Sequence, residues 1–263
     1  MKRQRLDCLL LERGLVESRE QARRLIMAGE VSVDGQVPIK PSSMVSGAED
    51  IVIKSKPPFV SRAGNKLAAA LDRFDVSVAG LVAVDIGAST GGFTDCLLQR
   101  GAARVYAVDV GYGQLAWQLR QDPRVIVMEK VNARYLDSLP EAIDIATFDV
   151  SFISLRLVIP PVLRLLKTGT SLIALIKPQF EAGRDQIGKG GVVTNHDVHR
   201  DVLRRLIQWA KAESLSFLGL VPSPLLGPAG NAEFLIRLGY GIPDPALIPE
   251  DWVELCLSQI PQS

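Results

Sequence analysis

Apolar positions in the first thirty residues recur with a helical period. Leu6, Leu9 and Leu10 stand at i, i+3 and i+4, which predicts a helix from about Leu6 to Arg13, stopped by Gly14 in the left-handed region. Ser18, followed three residues later by Gln21, marks a second helix start; Ala22, Leu25 and Ile26 form its buried face and Gly29 its end. The period then shortens to two. Val31–Val33 and Gln36–Ile39 flank Asp34-Gly35, the dipeptide of a two-residue hairpin turn, and Ile51–Ile53 reads as a third strand. Lys56-Pro57-Pro58-Phe59-Val60 breaks both patterns. Residues 1–55 are therefore predicted to form a small α+β domain and 56–60 a linker.

From residue 61 to about 240, β-branched runs alternate with helical patterns, which predicts an α/β doubly wound, mainly parallel sheet. The expected strands are Leu81–Ile86, Arg104–Val110, Val125–Met128, Ile143–Val150, Ser171–Lys177, Ser216–Val221 and Glu233–Leu238. Helices are expected over Asn65–Phe74, Gly92–Gln99, Leu155–Leu166 and Asp197–Ala212. Residues 241–263 form an extension whose helix, from about Glu250, is expected to dock through Trp252 and Leu255.

In such a sheet, ligands bind beyond the carboxyl ends of the strands. The first large-domain strand runs into Asp85-Ile86-Gly87-Ala88-Ser89-Thr90-Gly91-Gly92-Phe93-Thr94. Gly87 permits a tight turn, and Gly91 and Gly92 are expected to let the backbone approach a ligand before a helix begins. A dinucleotide fingerprint requires glycine where Ser89 stands, which argues against a nicotinamide cofactor. Asp109 ends the second strand, 18 residues beyond Gly91, placed to accept hydrogen bonds from a ribose diol. This pattern points to S-adenosylmethionine.

Asp149 and Lys177 each end a predicted strand. Glu233 begins the last strand, which is generally antiparallel in methyltransferases of this architecture and would bring the carboxylate to the same edge. Lys66 lies near the start of the helix preceding the first strand and reaches that edge too. Four residues distant in sequence thus converge by topology.

Two sets of motifs carry a resemblance to known families. Leu15 to Ala22 and Gly29 to Gly35 resemble the S4 RNA-binding domain. The resemblance implies that arginines of this unit, Arg3, Arg5, Arg19, Arg23 and Arg24, contact phosphates of structured RNA; the competing reading is a solvated face with arginines paired to Glu17 and Glu20. Lys66, Asp149, Lys177 and Glu233 match the tetrad of FtsJ-like ribose 2′-O-methyltransferases. With Ser61 to Leu67, Asp149 to Leu155, Lys177 to Gly183 and Gly230 to Phe234, the whole resembles the TlyA family of rRNA methyltransferases, members of which are also called haemolysins. That family implies a Rossmann-like seven-stranded methyltransferase fold with an N-terminal S4 domain, S-adenosylmethionine as donor, and ribosomal RNA or ribosomal subunits as partner, with cytidine as the implied nucleotide. The cofactor contacts it implies are Asp85, Gly87, Ser89, Gly91, Gly92, Phe93, Asp109, Asn132 and Asp149. Lys177 is the implied proton acceptor. Its neutral form is favoured by desolvation and by the like charge of Lys66 and opposed by Asp149, so Asp149 is given an orienting role. Methyl transfer from a sulfonium needs no metal.

Between the tetrad strands, Glu181 to Gly191 reads as a loop whose amides, Arg184 and Lys189 could grip RNA. His196 and His199, three apart without a carboxylate pattern, read as surface histidines.

Charge changes the picture little. Thirty basic and 29 acidic residues among 263 leave no global attraction for nucleic acid, so RNA binding must rest on local charge and shape. The absence of any long apolar run argues against a membrane-active protein and for a cytosolic one, and the three scattered cysteines, Cys8, Cys96 and Cys256, suit reduced thiols. A non-catalytic ribosome-assembly factor is the remaining alternative.

Overall fold

The computed structural model describes residues 3–16, 18–38, 40–53, 58–245 and 251–260. It divides into two compact units, 1–58 and 59–263.

The small unit opens with β1 (Arg3–Arg5), α1 (Leu6–Glu12) and α2 (Arg19–Met27), followed by β2 (Val31–Val33), β3 (Met44–Ser46) and β4 (Ile51–Ile53). Leu6, Leu9, Leu10, Ala22 and Ile26, the stripes expected from periodicity, are buried together with Val16, Val31, Val45 and Ile51. Ser18 Oγ accepts from the Gln21 amide at 3.1 Å, the expected helix cap. Asp34 and Gly35 both take positive φ, and Val33 and Gln36 exchange backbone hydrogen bonds of 2.8 and 2.9 Å. The turn is as expected, but the hairpin goes no further. β2 pairs with β4 instead, antiparallel, and β1 pairs with β3, two strands not expected from the sequence. Val37 is exposed and so offers no apolar face to hold a return strand; Ile39 lies outside the described residues, as do Glu17, Lys56 and Pro57.

The large unit holds α3 (Ala63–Arg73), β5 (Val82–Ile86), α4 (Gly92–Gln99), β6 (Arg104–Asp109), α5 (Trp117–Arg120), β7 (Val125–Glu129), β8 (Ile143–Phe148), α6 (Leu155–Leu163), β9 (Leu166–Ile176), α7 (Pro178–Glu181), α8 (His196–Ala212), β10 (Leu215–Pro222), β11 (Phe234–Tyr240) and α9 (Trp252–Leu257). Seven strands form one sheet in the order β10-β11-β9-β8-β5-β6-β7. β5 to β9 run parallel where they pair, and β11 is antiparallel to both its neighbours. Alternation along β5 explains the two layers. Val84 and Ile86 face α6, α8 and α9, while Ala83 faces α3 and α4.

Two expectations shift at the edges of this unit. Phe59 and Val60, expected in the linker, pack into the α3–α4 core, and the Val60 amide donates to Asp95 Oδ2 at 2.8 Å. In α9, Val253, Cys256 and Leu257 are buried and Trp252 stacks edge-on to Phe217 at 5.1 Å, but Leu255 points outward. The helix docks through Trp252 as expected, with Val253, Cys256 and Leu257 in place of Leu255; Glu250 is outside the described residues. No helix among the described residues is long and apolar enough to cross a membrane.

Candidate functional site

A cavity of about 500 Å³ opens beyond the carboxyl ends of β5, β6 and β8. Its floor is built by hydrogen bonds from the loop after β5 to the end of β6. The amides of Gly87 and Ala88 both donate to the Val108 carbonyl, and the Ser89 amide donates to Asp109 Oδ2 at 2.8 Å. Gly87 has φ +83°, and a side chain there would come within 2.6 Å of the Asp149 carbonyl oxygen. Ser89, at the position where a dinucleotide fingerprint has glycine, also takes a positive φ of 48°. A non-glycine residue there is strained. Its amide bond to Asp109 and its Oγ bond to Gln114 Oε1 at 3.2 Å hold it in place. Asp109 Oδ1 accepts a second amide, that of Gly111, at 2.6 Å.

Gly87, Ser89, Asp109, Asn132 and Asp149 all line this cavity, together with apolar Val110, Val131 and Val150. Asn132 is fixed by accepting from the Arg134 amide at 3.1 Å. An apolar slot between an amide and a carboxylate fits a nucleoside in size and chemistry.

Asp85, Gly91, Gly92 and Phe93 do not line it. Gly91 is needed because a side chain would meet Leu119 at 2.3 Å, and Gly92 because one would meet Ala63 and the Gly64 amide at 2.9 Å. Their smallness serves the packing of α4 against α5 and α3. Phe93 is core. Asp85 is fully buried and accepts from Thr94 Oγ1 at 2.7 Å and Thr147 Oγ1 at 3.0 Å, pinning α4 to β5 and β8. Burial pushes its carboxyl up to about 7.

The four edge residues form two ion pairs. Lys177 Nζ lies 2.7 Å from Asp149 Oδ1 and donates to Ser151 Oγ at 2.8 Å. Lys66, in the first turns of α3, pairs with Glu233, and both are buried. Strand register brings the pairs to one edge: Ile176 is opposite Phe234, so Lys177 and Glu233 follow at the same level of neighbouring strands. Gly227 packs so closely on Glu233 that a side chain would meet Oε1 at 2.5 Å.

Loops around this edge are tied down by residues whose tasks were not read from the sequence. Glu181 accepts from Ser154 Oγ at 2.6 Å and the Leu155 amide at 2.7 Å, joining the segment after β8 to that after β9. Phe152, between them, is 89% exposed, has φ +64°, and packs at a tilt against Phe180, ring centroids 5.0 Å apart. Buried Asn231 accepts from the Val193 amide and donates to the Gly191 carbonyl, anchoring the loop that carries exposed Arg184 and Lys189. His199, expected at the surface, is buried with Nε2 3.0 Å from the Val193 carbonyl oxygen, and burial lowers its pKa; His196 is exposed. The signal for Asn231 was its place two residues before Glu233; for Ser151 and Phe152 it was their place inside the Asp149 motif.

In the small unit, Arg3, Arg23 and Arg24 are exposed. Arg5 and Arg19 instead converge on Asp7, a fully buried carboxylate: Arg5 donates through Nε and Nη2 at 3.0 and 2.9 Å, and Arg19 through Nε at 3.1 Å. The Arg5 hydrogen bonds hold the Asp7 carboxyl down at about 2.

Residues 59–240 match the FtsJ-like methyltransferase model and residues 4–52 the S4 domain model. The chain is 52% identical over 243 residues to YqxC of Bacillus subtilis (strain 168), provisionally named an rRNA methyltransferase, covering 91% of this chain and 86% of that one. It is 47% identical over 245 residues to the 16S/23S rRNA (cytidine-2′-O)-methyltransferase TlyA of Mycobacterium tuberculosis, covering 90% of each. A solved structure from Streptococcus thermophilus, provisionally assigned as a hemolysin, superposes with a TM-score of 0.75 at 43% identity, over 98% of this chain and 96% of that one.

Proposed function

The chain belongs to the TlyA family of FtsJ-like methyltransferases with an S4 domain, and from that premise we propose that it methylates a ribose 2′-hydroxyl, of a cytidine, in ribosomal RNA, with S-adenosylmethionine as donor. The observation that carries the reading is the arrival of the Lys177–Asp149 and Lys66–Glu233 pairs at one edge of the sheet, with Asp149 lining a nucleoside-sized cavity there. S-adenosylmethionine supplies an electrophilic methyl group on a sulfonium. Asp109 would hold the ribose diol, and Asn132 with the valine slot would hold the base. The protein's remaining task is to bring the RNA hydroxyl into line and take its proton.

Lys177 takes that proton. Asp149 orients the amine and stabilises the ammonium as it forms, while Lys66 and Glu233 fix the hydroxyl from the other side. The S4 unit, with Arg3, Arg5, Arg19, Arg23 and Arg24, supplies contacts to phosphate that position without reading sequence, and Arg184 and Lys189 add contacts from the loop after β9. Work in the cytoplasm, where ribosomes are assembled, follows from this substrate.

The test is incubation with ribosomal subunits from a deletion strain and labelled S-adenosylmethionine. Stoichiometric label in rRNA supports the reading; binding of subunits without transfer would favour the assembly-factor alternative.

A further inference from the structure

We propose that Ser151 is a positioning residue for methyl transfer, one that fixes the direction of the Lys177 amine. The inference rests on the reading of Lys177 as proton acceptor.

A neutral amine has two N–H bonds and one lone pair. Lys177 Nζ donates to Ser151 Oγ at 2.8 Å and lies 2.7 Å from Asp149 Oδ1, an ion-pair contact outside hydrogen-bond geometry. Asp149 attracts the charge of the amine, and Ser151 is the hydrogen-bond acceptor that fixes the direction of one N–H, and with it the direction in which the amine meets the cavity. Ser151 lines the cavity together with Asp149, so the amine is held at the cavity wall.

The backbone shows that this hydroxyl is held in place. Phe152, the next residue, takes a φ of +64°, which costs an aromatic residue free energy and persists only where the surroundings enforce it. The segment is pinned on both sides: the Asp149 amide donates to the Ile86 carbonyl at 2.9 Å, and Glu181 accepts from Ser154 and Leu155. Ser151 stands between the pins.

In the transfer, the 2′-oxygen forms its bond to the methyl carbon while the carbon–sulfur pair stays on sulfur. The 2′-proton passes to the Nζ lone pair. The positive charge lost by the sulfonium thus appears on Lys177, whose ammonium Asp149 and Ser151 hold until the proton leaves to solvent.

Full-length Ser151→Ala and Ser151→Thr proteins test this in two ways. One is single-turnover methylation of unmethylated subunits across pH. The other, without RNA, is the pH dependence of Lys177 acetylation by acetic anhydride, read by mass spectrometry. Ser151→Ala is expected to lower the single-turnover plateau about 10- to 100-fold with cofactor affinity unchanged. Its acidic limb and its Lys177 labelling midpoint should both move to lower pH, because an acceptor is worth more to an ammonium than to an amine. Ser151→Thr, which keeps the hydroxyl, should restore both. An alanine variant with wild-type plateau and labelling midpoint overturns the proposal, and so does a lower rate with an unmoved midpoint. Failure of the wild type to methylate RNA would instead sink the reading of the site, and the labelling comparison would still show whether Ser151 holds Lys177.

Discussion

Lys177 Nζ and Asp149 Oδ1 stand 2.7 Å apart across the ends of two adjacent parallel strands. Asp149 lines the nucleoside-sized cavity, but Lys177 does not, and the cavity floor is made by backbone amides and Asp109. Lys177→Ala should therefore keep S-adenosylmethionine affinity in calorimetry while losing about 10²- to 10⁴-fold in single-turnover methylation. Near-normal turnover would remove Lys177 from its role.

The second pair separates stability from activity. Glu233→Ala leaves the Lys66 ammonium buried without its partner, and the unfolding free energy should fall by about 3–5 kcal/mol. Replacing both, as Lys66→Met with Glu233→Leu, removes the uncompensated charge and should recover most of that loss in chemical denaturation. Methylation should be absent from both variants.

Asp85 predicts a pH dependence. Its folded value of about 7 lies above its ordinary one, so its contribution to stability is complete below the unfolded value and disappears as pH rises through about 7. The melting temperature of Asp85→Asn should accordingly change less than that of the wild type between about pH 5 and about pH 8. Parallel curves for the two proteins would show that Thr94 and Thr147 offset the burial.

Phe152 carries strain that glycine would relieve. Phe152→Gly should melt no lower than the wild type, since glycine adopts positive φ freely. Loss of the exposed ring should nevertheless weaken the RNA complex by about 1–3 kcal/mol, the worth of one base stacked on an aromatic. Unchanged RNA affinity would exclude stacking at this position.

Asp7 predicts how the small unit meets RNA. Arg5→Ala and Arg19→Ala should each flatten the salt dependence of binding by about one unit of slope. Asp7→Asn removes no positive charge, so the slope should persist while affinity falls because the two guanidiniums are no longer held together. Equal behaviour of all three in filter binding would mean that Asp7 only stabilises the fold.

How much of this was legible in the sequence follows from what each signal measures. β-branched runs located all seven strands of the large sheet; chain order carried Lys66 to the edge where Asp149 and Lys177 end their strands, and the antiparallel last strand general to this architecture carried Glu233 there. Glycine patterns gave the loop after β5 but not the helix packing at Gly91 and Gly92, because a missing side chain carries no sign of which neighbour it makes room for. Asp7 gave no periodic signal; Arg5 reaches it from two residues away, and Arg19 meets it only once α1 and α2 pack. Leu255 was misassigned because α9 is six residues long, too short for its stripe to show which way it faces.

The central claim is that the methyl group lands on a ribose. Ribosomal RNA from subunits treated with wild-type enzyme and labelled S-adenosylmethionine should contain one linkage that resists alkaline hydrolysis, with the label in the undigested dinucleotide. Label recovered in alkali-released mononucleotides as a methylated base would contradict it.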